Sequence, residues 1–139
     1  MNDEHHEILM RKDIAVRWGD MDALGHVNNT CFLRYLEEIR LDWFDSFDGE
    51  WSNESMGPVV AGISINFREP IVWPATLVVD LSAQWSGGKS MTLSHEIRDA
   101  DESGRLYADA KVVCVWVDHS SNSTRSLPGA VMRAMGHAE

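Results

Sequence analysis

Positive charge is scarce in this sequence of 139 residues, which has 12 lysines and arginines against 22 aspartates and glutamates. The formal net charge of -10 argues against nucleic acid and against anionic membrane surfaces as partners. Basic residues are fewest in the middle of the chain, where only Arg68 and Lys89 lie between Arg40 and Arg98. A small anionic ligand is not excluded, because it needs only a local positive spot.

Cysteine and long apolar runs are also scarce. Cys31 and Cys114 have neither metal-ligand spacing nor a disulfide framework around them, so we expect both in the core. No stretch approaches the run of about 18 apolar residues that a membrane span requires. The N-terminal MNDEHHEILM lacks the basic start and apolar run of a signal peptide. These absences predict a cytoplasmic protein without a membrane partner.

The composition that remains is typical of a folded globular protein, with 44% hydrophobic and 24% charged residues. The length is that of one domain and is sufficient for a core without disulfides or metals. We found no repeat, linker or low-complexity segment. Residues 1–139 are therefore predicted to form a single domain.

Hydrophobic periodicity predicts a strand, a long helix and four further strands. Residues 8–18 alternate as a strand does, and from about Thr30 to Phe47 apolar residues recur at three- and four-residue steps. Four alternating segments follow: VVAGISINF, TLVVDLSAQW, MTLSHEIRD and LYADAKVVCVWV. Their short connections favour antiparallel neighbours. The order predicts an α+β fold with an antiparallel five-stranded sheet wrapped around one long helix, and a dimer would cover the surface left over.

The segment before the predicted helix, WGDMDALGHVNN, is crowded with polar residues. Asn28 or Asn29 is a plausible N-cap, since a short side-chain acceptor satisfies free amides of the first turn. Those amides and the positive end of the helix dipole also suit an anion or a developing negative charge. The carboxylate of Asp22 could attack a carbonyl there or activate a water. Asp20 is predicted to be a structural turn residue. His26 could orient Asp22 or water, or it could simply cap the loop.

The stretch from Asp20 to Asn29, with this element order, resembles the hotdog-fold thioesterases. More narrowly it resembles the 4-hydroxybenzoyl-CoA thioesterase family, whose members carry Asp-x-Asp-x-x-Gly at this junction, and the resemblance covers nearly the whole chain. It implies hydrolysis of acyl-CoA thioesters to the free acid and CoA. It implies that Asp22 is the catalytic carboxylate and that a first-turn amide, by position that of Asn29 or an immediate neighbour, polarises the thioester carbonyl. His26 and Asn28 complete the predicted site, which is expected to need no cofactor and no metal, in a homodimer or homotetramer.

A second glycine-containing segment, SGGKS, lies in the turn where members of that family often hold the CoA phosphates. The resemblance therefore implies that Gly88, Lys89 and Ser90 bind substrate. The residues agree with this, because two glycines can expose backbone amides to a phosphate and the lysine beside them adds a positive charge. An ordinary hairpin turn with an exposed lysine is the alternative.

Other functions compatible with the same motif stay open. DALGHVNN is similar to the acyl-carrier-protein thioesterases of plants, although Leu24 stands where those proteins have an asparagine. A non-catalytic module that binds acyl-CoA is a further alternative, as is, less closely, a hotdog hydratase. The sequence does not specify the length or aromaticity of the acyl group, and Asp22 could act as nucleophile or as general base.

Overall fold

The computed structural model of the chain describes residues 7–137, so the two ends of the predicted domain 1–139 lie outside the described residues. Strands and helices are numbered here in chain order. They are β1 (Met10–Ala15), α1 (Asn29–Asp45), β2 (Met56–Phe67), β3 (Thr76–Trp85), β4 (Ser90–Asp99), β5 (Leu106–Asp118), β6 (Thr124–Arg125) and α2 (Gly129–Ala134). A 3₁₀ turn at Trp18–Asp20 lies between β1 and α1.

The strands form one antiparallel sheet in the order β1-β3-β4-β5-β2, with the two-residue β6 added beside β5. The prediction of an α+β fold with five main antiparallel strands and one long helix is confirmed. The first strand is shorter than predicted, and α1 begins and ends slightly earlier than the range Thr30–Phe47. Periodicity predicted neither β6 nor α2, because both are shorter than the window over which a period can be recognised.

The core lies between one face of α1 and one face of the sheet, and α1 packs mainly on β1 and β3. Ile39 of α1, Leu81 of β3 and Leu93 of β4 are completely buried. Burying a side chain of this size contributes about 1.5–3 kcal/mol to the free energy of unfolding. A charged residue at Ile39 would therefore separate α1 from the sheet and displace the N-terminus of that helix.

The predictions made from scarce residues have mixed outcomes. Cys114 is buried as expected, Cys31 is only half-buried, and both thiols are free. Among the described residues, neither helix has the length and apolar character needed to cross a membrane.

β2 is the edge strand furthest from β1, and much of its apolar surface is open. Val59, Val60, Ile63 and Phe67 are each between 37% and 46% exposed. A bulge between Val60 and Gly62 shifts the register by one residue, which places Val59 and Ile63 on opposite faces of the sheet. The simple alternation predicted for this strand therefore holds only after the bulge. A long, apolar and unpaired edge of this kind is normally covered in a stable protein.

His95 of β4 is a polar residue inside the core, with only 3% of its surface exposed. Its Nδ1 lies 2.8 Å from the carbonyl oxygen of Asp80, and since a carbonyl only accepts, Nδ1 must carry the proton. Within residues 7–137, Nε2 has no hydrogen-bond partner. Burial, with a smaller contribution from the positive charge of Arg40, lowers the pKa of His95 to about 4.

This low pKa predicts that the protein loses stability in mild acid. Below about pH 6.5 an unfolded chain protonates His95, whereas the folded chain does so only near pH 4, so acid favours unfolding across that window. The loss should reach about 3 kcal/mol at the lower end. Urea denaturation from pH 8 to pH 4 checks it, with His95→Gln as the variant that cannot titrate. If the free energy of unfolding depended on pH identically in the two proteins, the low pKa of His95 would be contradicted.

Candidate active site

A tight turn after the 3₁₀ segment fixes the backbone of Asp22. The amide of Asp22 donates to the carbonyl of His26 at 2.9 Å, and the amide of Gly25 donates to the carbonyl of Asp22 at 3.1 Å. Gly25 has a φ of +83°, which favours glycine at this position. The amide of Leu24 donates to Oδ1 of Asp22 at 2.9 Å. Among the described residues Oδ2 has no partner, so one oxygen orients the carboxylate and the other is available.

The first turn of α1 leaves one amide free. Asn28, not Asn29, is the N-cap, and its Oδ1 accepts from the amide of Thr30 at 2.9 Å and from the hydroxyl of Thr30 at 2.8 Å. The amide of Asn28 donates to the carbonyl of Asp20, and the amide of Cys31 donates to the carbonyl of Asn28. Within the described part of the chain, the amide of Asn29 has no acceptor. An amide without an acceptor at the positive end of a helix dipole can donate to an anion or to a carbonyl oxygen.

Asp22 and Asn29 line one cavity of about 380 Å³, together with His26 and Asn28. Phe32 and Phe67 form part of its apolar wall, with ring centroids 5.0 Å apart in an edge-to-face arrangement. Four residues that the sequence placed in one site are thus brought together. The cavity combines apolar walls with a few polar groups, as small-molecule sites usually do.

A larger cavity of about 580 Å³ lies on the outer face of the sheet, and its lining is mainly polar. Ser82, Ser94, Glu96 and Lys111 are among the residues that line it. None of the predicted site residues does so, and only two of its lining residues, Ile8 and Ala110, are apolar. The smaller cavity is therefore the better candidate, despite its size.

His26 lies on the cavity, but its side chain is exposed and has no hydrogen-bond partner within residues 7–137. The side chain of His26 therefore neither holds Asp22 through a hydrogen bond nor caps the loop through one, whereas its carbonyl accepts from the amide of Asp22. A role in orienting water stays a prediction.

The SGGKS turn lies at the other end of the sheet in the same subunit. Phe67, at the cavity, pairs with Ala108, which in turn pairs with Ile97 of β4. Ser90 begins β4 seven residues before Ile97, which corresponds to about 23 Å along an extended strand. Gly88, Lys89 and Ser90 are accordingly absent from the cavity lining. Any contact of theirs with substrate would therefore lie outside this cavity.

A contact that the sequence did not reveal ties this loop to α1. The hydroxyl of Tyr35 donates to Oδ2 of Asp20 at 2.7 Å, and burial, followed by this bond, raises the pKa of Tyr35. Tyr35 lies on the apolar face that the three- and four-residue steps predicted for this helix. Its position on that face indicates a polar partner nearby, because a buried tyrosine hydroxyl usually forms a hydrogen bond.

Metal binding has no structural support in the part of the chain that is described. Histidine, cysteine, aspartate and glutamate residues form no group of three or more that could hold an ion between residues 7 and 137.

Comparison with known proteins finds relatives among thioesterases. The family model described as the thioesterase-like superfamily matches residues 16–135. The long-chain acyl-CoA thioesterase FadM of Escherichia coli is 34% identical over 122 residues, which are 86% of this chain and 92% of FadM. A candidate thioesterase from Pseudomonas aeruginosa has a similar solved structure, with 36% identity, a TM-score of 0.85 and coverage of 93% of this chain and 99% of that one. A candidate acyl-CoA thioesterase from Xanthomonas campestris is 40% identical, with a TM-score of 0.76 and coverage of 86% and 99%.

Proposed function

Because the chain belongs to the thioesterase-like superfamily, whose hotdog fold it shares, we propose that it hydrolyses acyl-CoA thioesters to the free acid and CoA. The observation that carries the proposal is that Asp22 and Asn29 line one cavity. Within residues 7–137 one carboxylate oxygen of Asp22 has no partner and the amide of Asn29 has no acceptor. The relatives support the substrate class, since FadM is named an acyl-CoA thioesterase and the protein from Xanthomonas campestris a candidate one.

The proposed mechanism needs a stabilised oxyanion and an activated oxygen nucleophile. The thioester carbonyl oxygen accepts from the amide of Asn29, a contact that typically lowers the barrier by about 3 kcal/mol. Oδ2 of Asp22 then either attacks the carbonyl carbon or removes a proton from a water that does so. The C–S bond breaks and CoA departs as a thiolate. Because thiols are acidic, no strong general acid is required.

The two routes differ in which oxygen forms the new bond to the acyl carbon. If Asp22 is the nucleophile, its oxygen forms an anhydride with the acyl group, and water then hydrolyses the anhydride. If Asp22 is the general base, water forms the new C–O bond directly and the carboxyl proton passes to solvent or to the thiolate. Both routes use the same free oxygen of Asp22 and the same amide, so the proposal does not depend on the choice.

A panel of acyl-CoAs of different length and aromaticity tests this function, with release of free thiol as the readout. We expect multiple turnovers with at least one member. Activity confined to the same acyl groups on an acyl-carrier protein would favour the carrier-protein thioesterase instead. Binding without release of thiol across the whole panel would favour a non-catalytic acyl-CoA-binding module.

The proposed active form is a homodimer that covers the exposed edge of β2. Two copies of β2 can pair antiparallel about a two-fold axis and so continue the sheet from one subunit into the other. Phe67 ends β2 and also lines the cavity, so the cavity would lie next to the interface. The antiparallel arrangement would bring the partner's β3–β4 turn to the same end of the sheet as this cavity. The partner subunit's Lys89 would then approach the CoA phosphates.

Lys89→Ala should raise KM for acyl-CoA several-fold and leave kcat nearly unchanged. A phosphate contact is remote from the reacting carbonyl, and an exposed ion pair contributes little free energy. The effect should shrink as salt rises, because screening weakens the contact in the wild-type protein. Steady-state kinetics at two ionic strengths measure both effects, with Lys111→Ala on the outer sheet face as the matched control.

A truncated substrate separates the phosphate contact from a structural role of Lys89. The same acyl group on a short thiol without the nucleotide should be hydrolysed equally well by the wild-type protein and by Lys89→Ala. An equal loss on both substrates would show that Lys89 supports the fold and does not bind phosphate.

A further inference from the structure

Asp20 forms hydrogen bonds with three different segments around the candidate site, whereas a turn residue usually bonds only to its own turn. Its Oδ2 accepts from the hydroxyl of Tyr35 at 2.7 Å and from the amide of Arg17 at 3.0 Å. Its carbonyl oxygen accepts from the amide of Asn28 at 2.9 Å. One residue thus connects Arg17, directly before the 3₁₀ turn, with the N-cap and the second turn of α1.

These bonds act on both groups of the proposed mechanism. The bond from the amide of Asn28 to Asp20 fixes the Val27–Asn28 peptide plane. This plane directly precedes the one that carries the free amide of Asn29. Asp22 follows Asp20 by two residues, and the intervening Met21 forms an antiparallel bridge with Val27. The position of the carboxylate relative to the amide therefore depends on where Asp20 is held.

Tyr35 supplies the anchor in the helix. It lies one turn after Phe32, which lines the cavity, and the two ring centroids are 6.4 Å apart. Tyr35 itself is 3% exposed, so packing against the core fixes its hydroxyl. The bond from Tyr35 to Asp20 therefore holds the loop before α1 in a fixed position relative to the helix.

We propose that Asp20 and Tyr35 are positioning residues, which hold the carboxylate of Asp22 and the amide of Asn29 at the separation that the reaction needs. The inference rests on the proposed function and deepens it by adding two residues that do not touch substrate. Catalysis is sensitive to such placement, since a misplacement of about 1 Å can lower a rate by about a hundredfold. Removal of the single bond from Tyr35 should have a smaller effect, because the bond to Asn28 is kept.

The chain offers a matched control for the variant Tyr35→Phe. The hydroxyl of Tyr107 donates to Oδ2 of Asp99 at 2.6 Å, so Tyr107→Phe removes a bond of the same type from another buried tyrosine. Tyr107 and Asp99 do not line the cavity. We expect Tyr35→Phe to lower kcat about tenfold with KM changed less than about twofold, and Tyr107→Phe to leave kcat within about twofold of wild type. Both should lower the melting temperature similarly.

Two variants of Asp20 provide an independent test if Tyr35→Phe folds poorly. Asp20→Asn keeps a side-chain oxygen that can accept from Tyr35, so it should retain more of kcat than Asp20→Ala. Equal losses in these two variants would overturn the proposal, as would an unchanged kcat in Tyr35→Phe or an equal fall in both tyrosine variants. Failure of the proposed function is distinguishable, because the wild-type protein would then hydrolyse no thioester at all.

Discussion

Replacement of Asp22 by asparagine is expected to lower kcat by about a hundredfold or more and to leave the fold intact. The asparagine side chain keeps the shape of the aspartate and an oxygen that can accept from the amide of Leu24, the bond that now orients Oδ1. The position of Oδ2 would carry an amide nitrogen, which can neither attack a carbonyl nor take a proton from water. The loss should fall on kcat, because the variant removes an interaction needed in the transition state.

The exposed Asp13 of β1 provides the control, since Asp13→Asn makes the same chemical change away from the cavity. Circular dichroism and thermal melting should be alike for both variants, while thiol release distinguishes them. Turnover of Asp22→Asn near that of wild type would remove Asp22 from the mechanism.

A lysine at Ile63 should convert the protein to a monomer and remove most of its activity. Ile63 is 44% exposed on the unpaired edge of β2, and a charge there cannot be buried against a second copy of the strand without a large desolvation cost. Because the cavity lies at the end of the same strand, loss of the partner would open one side of the site. We expect activity to fall at least about tenfold, with sedimentation velocity reporting the change of mass.

Leu41→Lys tests whether the effect belongs to the edge of β2. Leu41 lies on α1 and is also 44% exposed, so it receives the same charge at the same exposure. This variant should stay dimeric and active. A wild-type protein that is already a monomer and fully active would contradict the proposed dimer, whatever the two variants do.

The sequence revealed those parts of the fold that depend on local patterns. The helix α1 was predicted almost to its ends because its apolar face repeats over 17 residues, and β3 and β4 were predicted because their alternation is unbroken. In β2 the alternation was misleading, since the bulge after Val60 reverses the faces and only pairing with β5 reveals it. The short β6 and α2 carry too few residues to show a period.

For the candidate site too, the sequence revealed what is local along the chain and not what depends on tertiary structure. Asp22, His26, Asn28 and Asn29 could be grouped from the sequence because they are neighbours in one loop, and they do line one cavity. The position of Lys89 depends on how four strands are ordered and paired, and no local pattern contains that information. The bond from Tyr35 to Asp20 spans 15 residues and was hidden for the same reason.

Thiol release by the wild-type protein tests the central claim most directly. The purified protein is mixed with a large excess of an acyl-CoA that it binds, and free CoA and free acid are measured together over time. The account predicts that both products appear in equal amounts over many turnovers, and that Asp22→Asn binds the same substrate with little release. Saturable binding of the acyl-CoA panel by the wild-type protein, with neither product formed, would contradict it.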